Sequence, residues 1–310
     1  MRPSDARILS LGVGTGWGAK AISEAIGAAA GMVGHGASYA VTDNESAMRN
    51  GVRLAGLPWH RDVSHTLAVY MERVYAKDPE FVDFINIMYG RKAKFCMSPV
   101  ARLQPPAARF KARFMNFALW AEWALDMLQS FHLLTPQERD AYSYIGEHAS
   151  FVEEMAQMAR TVRYIETQMK HHGLSHKVIG CCRREVISSV MTGNDRMRRV
   201  GQMMLDYLEA ERDAIGEHDV LNNSSDIIES IFGVFKYIKS LNKLNGVTAL
   251  VLDLPVMMRL SVACAARDYD VKRHLTDTKI THINVWSKKI LSPNIVNQRT
   301  QTLKKLKQAS

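Results

Sequence analysis

The sequence predicts an α/β chain that is predominantly helical overall, and three stretches carry that reading. The first ninety residues alternate short apolar runs with periodic segments in the order β-α-β-α-β-α, the pattern of strands joined by helical crossovers. From about residue 90 to 215, strand-like alternation largely disappears and helical periodicity replaces it. Residues 224–236 (SSDIIESIFGVFK) then read as a capped amphipathic helix.

Taken in order, residues 7–13 (RILSLGV) predict a buried strand, and glycines follow at 12, 14, 16 and 18. Residues 19–33 are alanine-rich with apolar periodicity, a helix. Residues 38–42 predict a second strand with Asp43 at its C-terminal end, residues 46–54 a short helix, and residues 59–63 a third strand or extended piece ending near Asp62. Residues 65–75 (HTLAVYMERVY) predict an amphipathic helix. Strand, glycine loop, helix, strand and acid is also how a nucleotide-binding unit begins. That start resembles the first motif of S-adenosylmethionine-dependent methyltransferases, with Asp43 in the ribose-binding place. Ser10 and Leu11 stand where those enzymes carry an acid before the glycines, and no later catalytic motif of the class follows.

The helical stretch opens on basic residues interleaved with aromatics: Arg109, Phe110, Lys111, Arg113 and Phe114. Arg109, Lys111 and Arg113 suit a nucleic-acid backbone, and the rings suit base stacking; a charged loop ahead of a helix at 117–128 is the competing reading. Trp120 and Trp123 read as core. The group HHGLSHKVIGCC holds His171, His172, His176, Cys181 and Cys182, but its spacing does not complete a zinc site. Arg183, Arg184, Arg196, Arg198 and Arg199 read as a solvated face or as DNA contacts. An apolar segment to Met258, interrupted by Pro255, is ambiguous between helix and strand.

In the helix at 224–236, Ile227, Ile228, Ile231, Phe232, Phe235 and Ile238 form the stripe expected to be buried. Asp226, Glu229, Gly233 and Lys236 form a second face. Glycine in a helix interior costs roughly 1 kcal/mol relative to alanine, which points to open space beside Glu229, and Lys236 one turn on suits a phosphate. The D-x-x-E spacing of Asp226 and Glu229 also fits a capping box. From Thr278 to Ser310 there are seven Lys or Arg and no Asp or Glu, a composition that predicts a flexible, phosphate-seeking tail.

The chain has 310 residues, an apolar fraction of 47% and a net charge of +9. That balance favours a polyanionic partner, nucleic acid first among them. The polar start predicts no signal peptide; no apolar run reaches the ~18 residues of a membrane span. Four cysteines with no disulfide spacing predict a reducing compartment.

Four stretches together, residues 41–46 (VTDNES), 62–68 (DVSHTLA), 105–116 and 224–236, resemble an insertion-sequence transposase of the DDE type, with an RNase H-like core and a helical insertion. The resemblance implies an incomplete RNase H-like core interrupted by a large all-α insertion. Its parts are residues 1–90 as the first part of the core, 91–215 as the insertion, 216–277 as the glutamate helix and end of the core, and 278–310 as a basic tail. It assigns Asp43 as the second acid and Glu229 as the third, both catalytic and both metal ligands, 186 residues apart. Asp62, His65 and Lys236 take supporting roles, and Arg109, Lys111, Arg113, Lys304, Lys305 and Lys307 contact DNA. Two Mg2+ or Mn2+ ions would serve phosphodiester cleavage and strand transfer. The partners implied are transposon ends and target DNA, with a homodimer allowed and no membrane; the location implied is a bacterial cytoplasm at the nucleoid. The family's first strand and its aspartate have no match, so the resemblance implies an N-terminally truncated transposase that neither cuts nor joins DNA. A methyltransferase and a noncatalytic DNA-binding protein are the alternatives.

Overall fold

The computed structural model describes residues 8–14, 16–106, 114–115, 117–216, 220–238, 247–261, 270, 272, 276, 278–291 and 295–309. Its elements are α1 (Ala19–Val33), β1 (Ala40–Thr42), α2 (Ser46–Leu54), β2 (Trp59–Arg61), α3 (Val63–Tyr75), α4 (Pro79–Phe95), α5 (Phe117–Gln129), α6 (Pro136–Ala141), α7 (Ser143–Glu147), α8 (Ala149–His172), α9 (His176–Ser189), α10 (Asp195–Ala214), α11 (Asp226–Ile238), α12 (Leu254–Ser261), α13 (Ile280–Ile290) and α14 (Ile295–Ala309). The chain is thus predominantly helical, and the described strands form one two-stranded sheet. No helix among the described residues is long and apolar enough to cross a membrane.

Two compact units divide these elements. One comprises Val41–Asn44 and Trp59–Ser224; the other comprises Met1–Ala40, Glu45–Pro58 and Ser225–Ser310. The first is here called the helical unit and the second the outer unit.

In the helical unit five helices start where a side chain satisfies an end group that has no partner within the helix, whereas α7 and α8 start without a side-chain cap. Asp62 caps α3, Asp78 caps α4 ahead of Pro79, Ser175 caps α9 and Asn194 caps α10. Thr135 and Glu138 form a reciprocal capping box at α6. Helices α3, α4, α5, α7 and α8 converge on an aromatic centre, where the Phe84 ring lies 5.6 Å from Tyr144 and from Phe151 and 6.0 Å from Trp120. Trp120 is buried as core, and the Trp123 indole N–H donates to the Leu103 carbonyl at 3.0 Å. Helix α4 runs unbroken through residue 90, so the helical unit begins ahead of the position where strand-like alternation fades.

The β1–β2 bonds run from Ala40 N to Pro58 O and from Asp62 N to Thr42 O, at 3.0 and 2.8 Å. Both place each β1 residue opposite the residue 19 positions later, which is parallel pairing with α2 in the crossover. In the outer unit α1 packs on α2 at Gly51. A Cβ there would come within 2.6 Å of Ile22 and 2.9 Å of the Ala19 carbonyl, so only glycine permits this approach.

Three expectations are corrected. Residues 8–14 form no strand; Ile8, Leu11 and Val13 pack as irregular chain against Phe235, Val251 and Leu254, because the apolar run meets side chains and no strand partner. The stripe on α11 is only partly covered: Phe235 is buried, while Ile228, Phe232 and Ile238 are 54%, 42% and 52% exposed. The Phe235 cluster is narrower than the apolar arc and, among the described residues, takes in Ile231 and Phe235 of this helix. Residues 280–290 and 295–309 are helical rather than a flexible tail, and Trp286 of α13 joins the same cluster. The ambiguous segment at Pro255 resolves into a 3-10 turn and then α12, with the proline in the first helical turn, where its missing N–H is harmless.

Candidate functional site

The residues around Asp43 are held by a chain of short polar contacts. Trp59 donates its indole N–H to Thr42 Oγ1 at 2.8 Å. Asn44 Nδ2 donates to Thr66 Oγ1 at 3.1 Å, and that hydroxyl donates to the Asp62 carbonyl at 2.7 Å. Asp62 is 1% exposed and its Oδ1 accepts from the His65 backbone N–H at 2.9 Å, so its carboxylate serves the α3 N-terminus. His65 and Asp43 are half-buried. The parallel pair thus brings Asp43, Asp62 and His65 to one strand end, with Asp62 engaged in capping.

Directly behind this end lies a buried ionic cluster with no signal in the sequence. His60 Nδ1 meets Glu211 Oε2 at 2.8 Å and Arg61 Nε meets Oε1 at 3.1 Å. The Arg61 guanidinium also donates to the Tyr70 hydroxyl at 3.2 Å and lies 4.7 Å from the Tyr207 ring centre. Burial, followed by the Glu211 carboxylate, pushes the Tyr207 hydroxyl well above the usual tyrosine range, and Asn223 Nδ2 contacts that hydroxyl at 3.2 Å. One carboxylate on α10 thereby ties down β2, 150 residues away in the chain.

A second cluster lies at the other end of α3. Arg196 meets Asp78 at 3.0 Å, Glu80 at 2.7 Å and Glu154 at 2.6 Å, and Glu154 also accepts from Tyr75 at 2.6 Å and Asn194 at 2.6 Å. Burial alone lowers the Arg196 pKa, but its bonds to Glu154 and Glu80 raise it on balance. Arg196 is therefore a structural cation and not part of a solvated or DNA-facing surface; Arg183 pairs with Glu209 and Arg198 with Asp195.

Glu229 and Lys236 are both exposed on α11 of the outer unit, on the side away from Phe235. A Cβ added at Gly233, between them, would meet nothing within 4 Å. The helix begins at Asp226, which makes Glu229 its fourth residue, one past the capping-box position. Lys304, Lys305 and Lys307 are exposed on α14. Arg109, Lys111 and Arg113 lie outside the described residues.

His171 and His172 end α8 as exposed residues, and Cys182 is buried in α9 with its thiol pushed up to about 12, chiefly by burial. Among the described residues no three His, Cys, Asp or Glu side chains group closely enough to hold a metal ion. At the glycine-rich start, a Cβ on Gly12 would lie 2.2 Å from the Trp17 ring, so this glycine accommodates an indole. Comparison with protein-family models, curated proteins and solved structures gives no match, and the fold and site rest on their own geometry.

Proposed function

We propose that this chain is a nucleic-acid-binding protein of the DDE transposase type, holding DNA chiefly through its backbone phosphates. The observation that carries the reading is the surface of α13 and α14. Lys288, Lys289, Arg299, Lys304, Lys305 and Lys307 are all exposed there, and the sequence from Thr278 to Ser310 contains no acid. A polyanion bound to such a surface releases its condensed counterions to the solution, without any base contact. The transposase part rests on the order of the four matching stretches and on the polar edge of α11, where Glu229 and Lys236 are exposed and a Cβ at Gly233 would meet nothing within 4 Å, on a helix anchored by Phe235. Residues matching two of the three acids of the RNase H-like core are present, Asp43 and Glu229, so strand cleavage is not part of the reading.

The test is fluorescence anisotropy with a labelled duplex across a sodium chloride series. The expected result is a linear fall of log affinity with log salt, largely independent of sequence; absence of binding at low salt would end the proposal. The metal assignment is tested separately by calorimetric titration with Mn2+. Loss of the binding heat in Asp43→Ala and in Glu229→Ala supports it, and an unchanged isotherm in both variants removes it.

A further inference from the structure

The helical unit holds a cavity of about 260 Å3 beside the first turn of α3, bounded also by α5 and α8. Its buried lining includes Ser64, Phe114, Phe117 and Val162, while the rim carries Arg163 and Glu166. Ser64 is 6% exposed, and its hydroxyl has no hydrogen-bond partner among the described residues. A buried hydroxyl left in that condition is costly, so it calls for a ligand able to exchange a hydrogen bond with it. At the rim Arg163 is matched by Glu122 at 2.5 Å. Glu166 makes no hydrogen bond or ion pair among the described residues. The site therefore offers aromatic and aliphatic walls, one hydroxyl in the floor, and an excess of acceptor over donor at the mouth.

These features narrow the ligand. The volume lies below the ~300–1,000 Å3 of drug-sized sites, room for one ring system and not for a dinucleotide cofactor. The Phe114 and Phe117 rings favour a planar aromatic guest. A carboxylate accepts from the exocyclic amino group of a base and opposes a keto edge. We propose that this cavity takes a single unpaired nucleobase bearing an exocyclic amino group, which donates to Glu166 while the ring edge bonds Ser64. The source of the base, a DNA strand, rests on the nucleic-acid reading above; the pocket itself does not. The sequence supports a strand source, since Arg109, Lys111 and Arg113 lead directly into Phe114.

The test compares labelled duplexes that are fully paired, carry one bulged adenine, or carry one bulged thymine, with free adenosine titrated in parallel. Wild type is set against Ala118→Trp, which fills the cavity from α5, against Leu119→Trp on its exposed rim, and against Glu166→Gln. Circular dichroism checks that each variant is folded. The bulged adenine should bind about five-fold to a hundred-fold more tightly than the paired duplex, the range of one stacked base. Either tryptophan should erase that gain, and Glu166→Gln should narrow the gap between adenine and thymine. Equal affinity for bulged and paired DNA in wild type, or a preference that survives both tryptophans, would overturn the inference while leaving phosphate-mediated binding intact. Adenosine binding that either tryptophan abolishes, with no binding to any duplex, would support the pocket and sink the nucleic-acid reading.

Discussion

The helical unit and the outer unit bury their apolar surface to very different depths. In the helical unit the aromatic centre is sealed, and even its charges are enclosed, with Glu154 and Glu211 at 7% and 2% exposure. In the outer unit α1 has no fully buried residue, and the apolar cluster around Phe235 has three buried members among the described residues. Polar satisfaction follows the same divide. The helical unit spends its carboxylates on its own arginines, whereas the outer unit leaves the cations of α13 and α14 at the surface. The difference places the buried ion pairs in one unit and the exposed cations proposed to meet phosphate in the other, and each prediction below presses on that separation.

The largest effect is expected from Glu154→Ala. Arg196, Tyr75 and Asn194 would all lose a buried partner at once, which should cost about 3–5 kcal/mol. Thermal unfolding followed by circular dichroism reads this as a large fall in Tm. A shift of only a degree or two would mean that the cluster is open to solvent.

Alkaline pH comes next. Burial raises the Cys182 thiol pKa from 9.0 to about 12, so the unfolded chain loses this proton first as pH rises. Stability from this group is complete below pH 9 and is lost progressively between pH 9 and 12, by about 1–2 kcal/mol at pH 10. Urea titrations at pH 8 and pH 10 should show the loss, and Cys182→Ala should reduce the pH dependence. Alkylation of the native protein at pH 8 should modify the exposed Cys96 and spare Cys182; equal labelling would contradict the burial.

The smallest effect sharpens the contrast. Phe232→Ser on the exposed side of α11 should change stability by no more than about 0.5 kcal/mol, as surface substitutions do. A loss of several kcal/mol would show that this face is covered in solution.

Helices α1 and α2 coincide with the segments read from periodicity alone, and β1 and β2 fall within the segments read as strands. These features were legible because each depends on neighbours a few residues apart. The clusters that hold the helical unit together were not. Glu211 reaches β2 across 150 positions and Arg196 reaches Asp78 across 118, and no local pattern marks such partners. The exposed stripe on α11 escaped for a related reason: amphipathic spacing specifies which residues share a face, and only the tertiary partner decides how much of that face is covered. On the site itself, the motif stretches named Asp43, Asp62 and His65, and only the parallel pairing of β1 and β2 brings them to one strand end. The cavity beside Ser64 needed helices α3, α5 and α8 in place before it could exist.

The separation of roles is tested most directly by duplex affinity against sodium chloride concentration for the unmodified chain and for the Lys304→Ala, Lys305→Ala, Lys307→Ala triple variant. Each phosphate contact contributes about 0.9 to the slope, so the variant should lose up to ~2.7 from it. Its Tm should stay unchanged, since the three side chains are exposed. Identical slopes, or a weakened affinity that tracks a lower Tm, would contradict the assignment of nucleic-acid contact to the outer helices.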